Sequence, residues 1–305
     1  MKLFRELPDN VTPIALCIGN FDGVHLGHQA LMARTLDEAR SSGLTPAVMT
    51  FHPHPREVFD FANAPARLSS TREKAEAIAL AGIQHLYVPR FNTAFARQSP
   101  AAFLDVLQHT LKVRWLLVGK DFRFGARRAG DVGLMRAEAN IRNMRVECLG
   151  DVRVHGERVS STAIRSRLCA GDLTGARDLL GRPYAISGRV VHGKKLGRTL
   201  GFPTANVSLA GRKPALSGVF AVRCRGIRGL EGVANGVANL GTNPAVQVDG
   251  RPTLEVFLFD FSRDLYGQRL EVEFIAKLRD ETCFDSLDAL TAQIRKDCDH
   301  ARALL

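Results

Sequence analysis

Up to about residue 183, short apolar runs alternate with stretches in which apolar residues recur every three or four positions. The pairs are 14–18 then 29–39, 47–51 then 71–81, and 86–88 then 101–111, with a further apolar run at 115–118. Strands that alternate with helices predict a parallel sheet covered by helices, because a parallel crossover needs an intervening element to return the chain. Ligands of such folds gather at the carboxyl ends of the strands. Polar or glycine-containing segments follow the strands here at 19–28, 52–56 and 119–130. From Tyr184 onward the texture changes to glycine-punctuated β-rich runs at 186–191, 218–222, 232–240, 254–261 and 270–274, closed by an amphipathic helical pattern at 286–303. That spacing predicts an antiparallel barrel or sandwich. Gly181-Arg182-Pro183 has the turn chemistry of a short linker, so the expected domains are 1–183 and 184–305.

Bulk properties narrow the function classes. A chain of 305 residues exceeds what one compact core usually holds, and its 45% hydrophobic and 24% charged residues are those of an ordinary globular protein. The six cysteines include no C-x-x-C pair, which argues against a zinc ribbon, a redox motif or a disulfide framework and predicts reduced thiols. Lys2, Arg5, Glu6 and Asp9 charge the amino terminus, and no long apolar stretch follows. Neither a signal peptide nor a membrane span is therefore expected, and the expected location is the cytoplasm. A net charge of +11 calls for anionic partners. Nucleic-acid readers add aromatic stacking platforms or a concentrated basic stripe, whereas this chain has one Trp, three Tyr and dispersed arginines. Small phosphorylated molecules are the expected partners, with no nucleic acid, no membrane and at most a weak homo-oligomer.

The segment Gly19-Asn20-Phe21-Asp22-Gly23-Val24-His25-Leu26-Gly27-His28 follows the apolar run 14–18 directly. It predicts a sharp turn from a buried strand into a helix whose start holds two histidines on one face. Free backbone N–H groups and the helix dipole attract anions there, and Gly27, lacking a Cβ, lets phosphates approach the backbone. Helix capping by His25 and His28 is the competing structural reading, and His52 and His54 keep a zinc site open as a weaker one. A second segment, Ser160-Ser161-Thr162-Ala163-Ile164-Arg165, sets hydroxyls at a helix start and an arginine one turn in, a set of phosphate donors or an ordinary N-cap. No G-x-x-x-x-G-K-[ST] sequence is present, which argues against a P-loop enzyme.

In the second half, residues 193–206 combine a basic glycine-rich stretch (Gly193, Lys195, Gly201) with Thr204 and Asn206, whose oxygens are hard ligands suited to magnesium. A flexible surface loop is the structural alternative. Glu255 lies in the strand pattern 254–259, where period-two alternation places it on the face of Phe257 and Phe259. A carboxylate beside aromatic rings is poorly solvated, which raises its pKa and makes it a better proton acceptor. An edge-strand glutamate pointing to solvent is the alternative.

Taken together, these segments resemble the bacterial bifunctional riboflavin kinase/FAD synthetases over nearly the whole chain, and the first two resemble the signatures of HxGH nucleotidyltransferases. The matching stretches include 19–28, 51–55, 118–125, Gly130-Asp131, 160–165, 188–207, 232–244, 254–267 and 279–284, with Gln293-Ile294. The resemblance implies an α/β, Rossmann-like HxGH nucleotidyltransferase domain followed by an antiparallel β-barrel riboflavin kinase domain with a C-terminal helix. It implies that the barrel phosphorylates riboflavin with ATP and Mg2+ to give FMN, and that the first domain adenylylates FMN to give FAD and pyrophosphate. By the same resemblance Glu255 is the kinase base, Thr204 and Asn206 hold the magnesium-nucleotide, and Arg279 and Phe284 lie near the flavin. In the synthetase His25, His28 and Arg165 act on the phosphates. Asn20, Phe21, Asp22, Gly27, Asp121, Ser161 and Thr162 are expected at the nucleotide, and His54, Phe59 and Phe124 at the flavin. Leu26, Phe257 and Asn243-Pro244-Ala245 depart from the family pattern, and none of them removes a proposed catalytic group.

Overall fold

The computed structural model describes residues 1–9, 12–193, 196–241 and 252–305. Two compact units emerge, Met1–Pro65 with Ser69–Ser161, and Ala66–Leu68 with Thr162–Leu305.

The first unit holds a six-stranded parallel sheet of β1 (Lys2–Phe4), β2 (Ile14–Ile18), β3 (Thr45–Met49), β4 (His85–Tyr87), β5 (Val113–Gly119) and β6 (Arg145–Leu149), in the order β1-β4-β3-β2-β5-β6. Helices α1 (Leu26–Ser42), α2 (Pro55–Phe59), α3 (Thr71–Leu80), α4 (Thr93–Ala96), α5 (Pro100–Asp105) and α6 (Val132–Ile141) connect it, and a small hairpin of β7 (Arg153–Val154) and β8 (Glu157–Arg158) follows. Every residue of β2 is buried, as a strand covered on both faces requires. Its alternate side chains serve separate cores: Ile14, Leu16 and Ile18 join Met49, Leu116 and Phe103 on one face, while Ala15 and Cys17 join Val48, Leu117 and Met32 on the other. Strand order reverses at β2, which has β3 on one side and β5 on the other, so a crevice opens beyond the ends of β2 and β5.

The second unit begins with α7 (Ser161–Cys169), whose first residue closes the first unit, and α8 (Leu173–Leu180), capped by the Asp172 carboxylate and ended by Gly181 in the left-handed region. A closed antiparallel barrel follows, built from β9 (Ala185–Val191), β10 (Thr204–Val207), β11 (Gly218–Arg225), β12 (Ala234–Gly241), β13 (Thr253–Leu258) and β14 (Arg269–Arg279), in the order β10-β13-β12-β11-β14-β9. The short helix α9 (Leu196–Thr199) precedes β10 and the long α10 (Leu287–Leu304) ends the chain. Of the two architectures the strand spacing allows, closure selects the barrel, which leaves no unpaired edge. Fully buried Leu254, Val256, Ala238 and Leu240 alternate with a second face, on which Val219, Ala221 and Val237 pack against Ile294, Cys298 and Ala301 of α10.

Several boundaries differ from the sequence pattern. The run 101–111 is helical, but it changes from α5 into a π-helical turn at Val106–Thr110. Strands β1, β6 and β10 escape the apolar-run criterion because each is short or carries alternate polar residues. Leu116 of β5 is fully buried, so Leu116→Ala should lower unfolding free energy by about 2–5 kcal/mol. Urea unfolding of the two proteins checks this, and a loss well under 1 kcal/mol would contradict the assignment of that face to the core.

Candidate functional site

The turn leaving β2 is strained and clamped. Phe21 (φ 49°) and Val24 (φ 43°) occupy the left-handed region, which is unfavourable for residues other than glycine. The start of α3 holds the turn at two points. At one, the Ser69 backbone N–H donates to Asp22 Oδ1 (3.0 Å) and the Gly23 N–H donates to Ser69 Oγ (2.9 Å). At the other, the buried Lys74 ammonium donates to the Asn20 carbonyl (2.5 Å) and to Thr50 Oγ1 (3.3 Å), while the Thr50 hydroxyl donates to the same carbonyl (2.9 Å). Ser161 Oγ donates to the Asp22 carbonyl (2.9 Å). Asp22 and Phe21 are buried and anchor the turn, whereas Asn20 is exposed.

His25 is the N-cap of α1, and its Nδ1 accepts the His28 backbone N–H at 3.3 Å. Of the two readings of this pair, the geometry bears out helix capping for His25. The two rings stack with centroids 3.7 Å apart, and His28 also meets Phe21 at 4.8 Å. A Cβ on Gly27 would sit 3.2 Å from the His25 ring, tighter than ordinary contact, so the stacked pair favours glycine there. Burial pushes the His28 pKa well below 6.5, helped by the nearby His25 and Lys74, and its Nδ1 is buried without a hydrogen-bond partner. An uncharged imidazole donates a single N–H, a hydrogen-bond partner for a phosphate oxygen.

A cavity of about 210 Å3 opens at this point, bounded by His25, His28, Gly119, Lys120, Gly150 and Ser160 among others. It lies where β2 and β5 end, at the reversal of strand order. Lys120 pairs with Asp151 at 2.5 Å, and Arg158 pairs with Asp151 (2.8 Å) and Asp121. Lys120 and Arg158 are absent from the sequence-predicted set; Lys120 is signalled only by following a strand end. Thr162 and Arg165 belong to the second unit, where Arg165 Nε donates to the Ala66 carbonyl at 2.6 Å.

The residues expected at the flavin of this unit fall into different environments. His54 caps α2 by accepting the Arg56 N–H at 3.2 Å, and Glu57 accepts the His54 N–H at 3.1 Å. Phe59 is 67% exposed, with its ring edge-on to Phe91 at 5.9 Å. Phe124 instead lies in the core against Phe103 and Phe122, so close to Gly130 that a Cβ there would meet the ring at 2.7 Å.

On the barrel, strand register assembles the second site. Asn206 of β10 and Asn239 of β12 stand directly opposite Glu255 of β13, and Thr204 stands opposite Phe257. Opposed residues share a face, so Asn206, Glu255 and Asn239 form one row with Thr204 and Phe257 beside it. Glu255 is half-buried; burial raises its pKa above the usual carboxylate value, and a hydrogen bond from the Thr204 hydroxyl offsets part of that rise. Asn206 occupies the space where a Cβ on Gly193 would lie, 2.2 Å from its Nδ2, so the glycine lets the loop close down on the amide. Gly201 has φ 85°. Lys195 and Asn243-Pro244-Ala245 lie outside the described residues. Phe257 and Phe259, the latter just past the end of β13, meet edge-on at 6.0 Å in one apolar cluster. Arg279 ends β14, holds Asp297 at 2.8 Å and lies 5.5 Å above the Phe284 ring.

Among the described residues, no group of three or more His, Cys, Asp or Glu could hold a metal ion, and no helix is long and apolar enough to cross a membrane.

A doubly wound unit with a histidine turn at its switch point, joined to a closed barrel with a hydroxyl, an amide and a carboxylate on one face, defines a class of two-site group-transfer proteins. Residues 7–163 match the family model described as FAD synthetase, and residues 180–305 match that described as riboflavin kinase. A Pseudomonas fluorescens protein named "Bifunctional riboflavin kinase/FMN adenylyltransferase" is 45% identical over 100% of this chain and 98% of its own. A Haemophilus influenzae protein of the same name is 44% identical over 95% and 93%. A crystal structure titled as a macrolide-efflux protein from Streptococcus pneumoniae superposes with a TM-score of 0.79 at 29% identity, covering 98% of each chain. The chain belongs to the bifunctional riboflavin kinase/FMN adenylyltransferase family.

The lowered pKa of His28 has a consequence for stability. As pH falls through about 6.5 the unfolded histidine takes up a proton before the folded one, so stability present at neutral pH is lost on acidification, by at most about 1.4 kcal/mol per pH unit. Urea unfolding at pH 7.5 and pH 5.0 should show a smaller acid loss for His28→Asn than for the parent protein. Equal losses would contradict a neutral, buried His28.

Proposed function

We propose that residues 184–305 transfer the terminal phosphate of ATP to riboflavin, giving FMN, and that residues 1–183 transfer AMP from ATP to FMN, giving FAD and pyrophosphate. The observation that carries this reading is the half-buried Glu255, hydrogen-bonded by Thr204 and directly opposite Asn206. A proton acceptor then stands beside the oxygen ligands suited to a nucleotide-bound cation.

Riboflavin offers an alcohol, whose proton has to leave as the new O–P bond forms. Glu255 accepts it, and the raised pKa makes this carboxylate a stronger base than a solvated one. Thr204 Oγ1 and Asn206 Oδ1 are hard oxygens, which suit Mg2+, an ion that keeps several waters and shares substrate phosphates instead of filling a protein cage. When bound there, Mg2+ neutralises charge on the phosphate oxygens. Gly193 and Gly201 flank the stretch assigned to the nucleotide phosphates, and Arg279 with Phe284 borders the flavin.

FMN brings a phosphate monoester with a second pKa near 6, largely dianionic at neutral pH, so the other site needs no base. Its work is alignment for in-line attack and stabilisation of charge on the transferred group and on pyrophosphate. His25, His28 and Arg165 act on that charge, with Ser161 and Thr162 as further donors. Asn20, Phe21, Asp22 and Gly27 shape the nucleotide turn and Asp121 lies at its margin. Phe59 offers its exposed ring to the flavin beside His54, with Phe124 as the packed floor. The substrates are small molecules, and the cytoplasm is the proposed site of both reactions.

Purified protein with riboflavin, ATP and magnesium should accumulate FMN and then FAD on a chromatogram; a chromatogram showing neither product would refute the reading. Glu255→Gln should lower FMN formation by about 10²–10⁴-fold, the usual worth of a general base, and leave conversion of added FMN to FAD largely intact. His28→Ala should do the reverse. Loss of both activities from either change in a folded protein would contradict one site per half.

A further inference from the structure

The amphipathic α10 buries a carboxylate. Asp297 is 5% exposed, in the same region of the helix as Ile294, Cys298 and Ala301, which pack on the barrel. An apolar residue would serve the packing as well or better, because a buried ion pair rarely stabilises more than a hydrophobe of similar size. The carboxylate is instead fully engaged. Arg279 Nε donates to both of its oxygens at 3.0 Å, Arg279 Nη2 donates to Oδ2 at 2.8 Å, and Gln293 Nε2 donates to Oδ1 at 2.9 Å.

The other edge of the same guanidinium faces the segment that follows β14. Nη1 donates to the Asp280 carbonyl (3.0 Å) and to Thr282 Oγ1 (3.1 Å), and the cationic plane lies over the Phe284 ring. That segment reaches the catalytic row from its far side: Asn239, the neighbour of Glu255 across the strands, donates through Nδ2 to Glu281 at 3.3 Å. The Glu281 carboxylate fills the space over Gly241 that a Cβ would need, 1.8 Å away. One planar fork thus ties a helix anchored on the barrel to the loop that ends at Phe284, with a geometry that an ammonium could not reproduce.

We infer that Asp297 is a positioning residue of the kinase: through Arg279 it fixes the 280–284 segment, and hence Phe284, in the place where riboflavin is held. The inference rests on the reading that Phe284 borders the flavin. The full-length protein is assayed for riboflavin phosphorylation with Asp297→Asn, Asp297→Glu, Arg279→Lys and Phe284→Ala, each checked for folding by thermal melting. Asp297→Asn should raise KM for riboflavin tenfold or more while KM for ATP stays near its parent value. Arg279→Lys should move the same constant in the same direction, so a failure of Asp297→Asn to fold leaves the inference testable, and Asp297→Glu should restore part of the loss. A folded Asp297→Asn or Arg279→Lys protein whose riboflavin KM is unchanged while Phe284→Ala raises it would overturn the positioning role. An unchanged riboflavin KM in Phe284→Ala would overturn the flavin reading of the segment and the inference with it.

Discussion

A partly desolvated carboxylate next to a hydroxyl and an amide is the arrangement on which the proposed kinase site depends. Antiparallel register brings it about: closing the barrel pairs β10 with β13 and β13 with β12, and this alone aligns Asn206, Glu255 and Asn239. Burial on that face removes water from Glu255 and raises its proton affinity, while the Thr204 hydrogen bond keeps the rise in check. The same closure buries Leu254 and Val256 on the opposite face of β13, so the packing that stabilises the barrel also sets the spacing of that row.

The other unit solves a different problem with different means. Its strand-to-helix turn contains two non-glycine residues in the left-handed region, a conformation that persists only when surrounding contacts over-determine it. Ser69, Lys74 and Thr50 supply those contacts from α3 and the end of β3, and the stacked histidines complete the turn. The result is a clamped rim around a small cavity that His25, His28, Lys120 and Arg158 line among others. Such a rim suits a nucleophile that is already ionised.

Much of this was legible from residue patterns, and the exceptions have physical causes. Alternation along 254–259 shows the face of Glu255, and the turn after β2 announces itself through glycines, histidines and its position after a wholly apolar strand. The partners of Glu255 are harder to see. β10 is only four residues long, and register is a non-local property that a short strand with alternate polar residues does not declare. Lys74 looks like a solvated helix lysine, yet it is buried by contacts to residues 24 and 54 positions away. Phe124 is buried, packed so close to Gly130 that a Cβ there would meet its ring, a placement that its motif does not declare. The double role of His25 as cap and cavity wall could not be divided by sequence spacing, because both roles need the same side chain at the same position.

The division between a reaction that requires a base and one that does not is tested most directly by pH–rate profiles of the two half-reactions on one preparation. Riboflavin phosphorylation should fall on the acid side through an ionisation lying above the usual carboxylate value, and that limb should vanish in Glu255→Gln. Adenylyl transfer to FMN should instead follow the acceptor phosphate, with a pKa near 6, and be indifferent to Glu255. Two profiles sharing one acid limb, or a phosphorylation profile whose limb survives the loss of Glu255, would contradict the account.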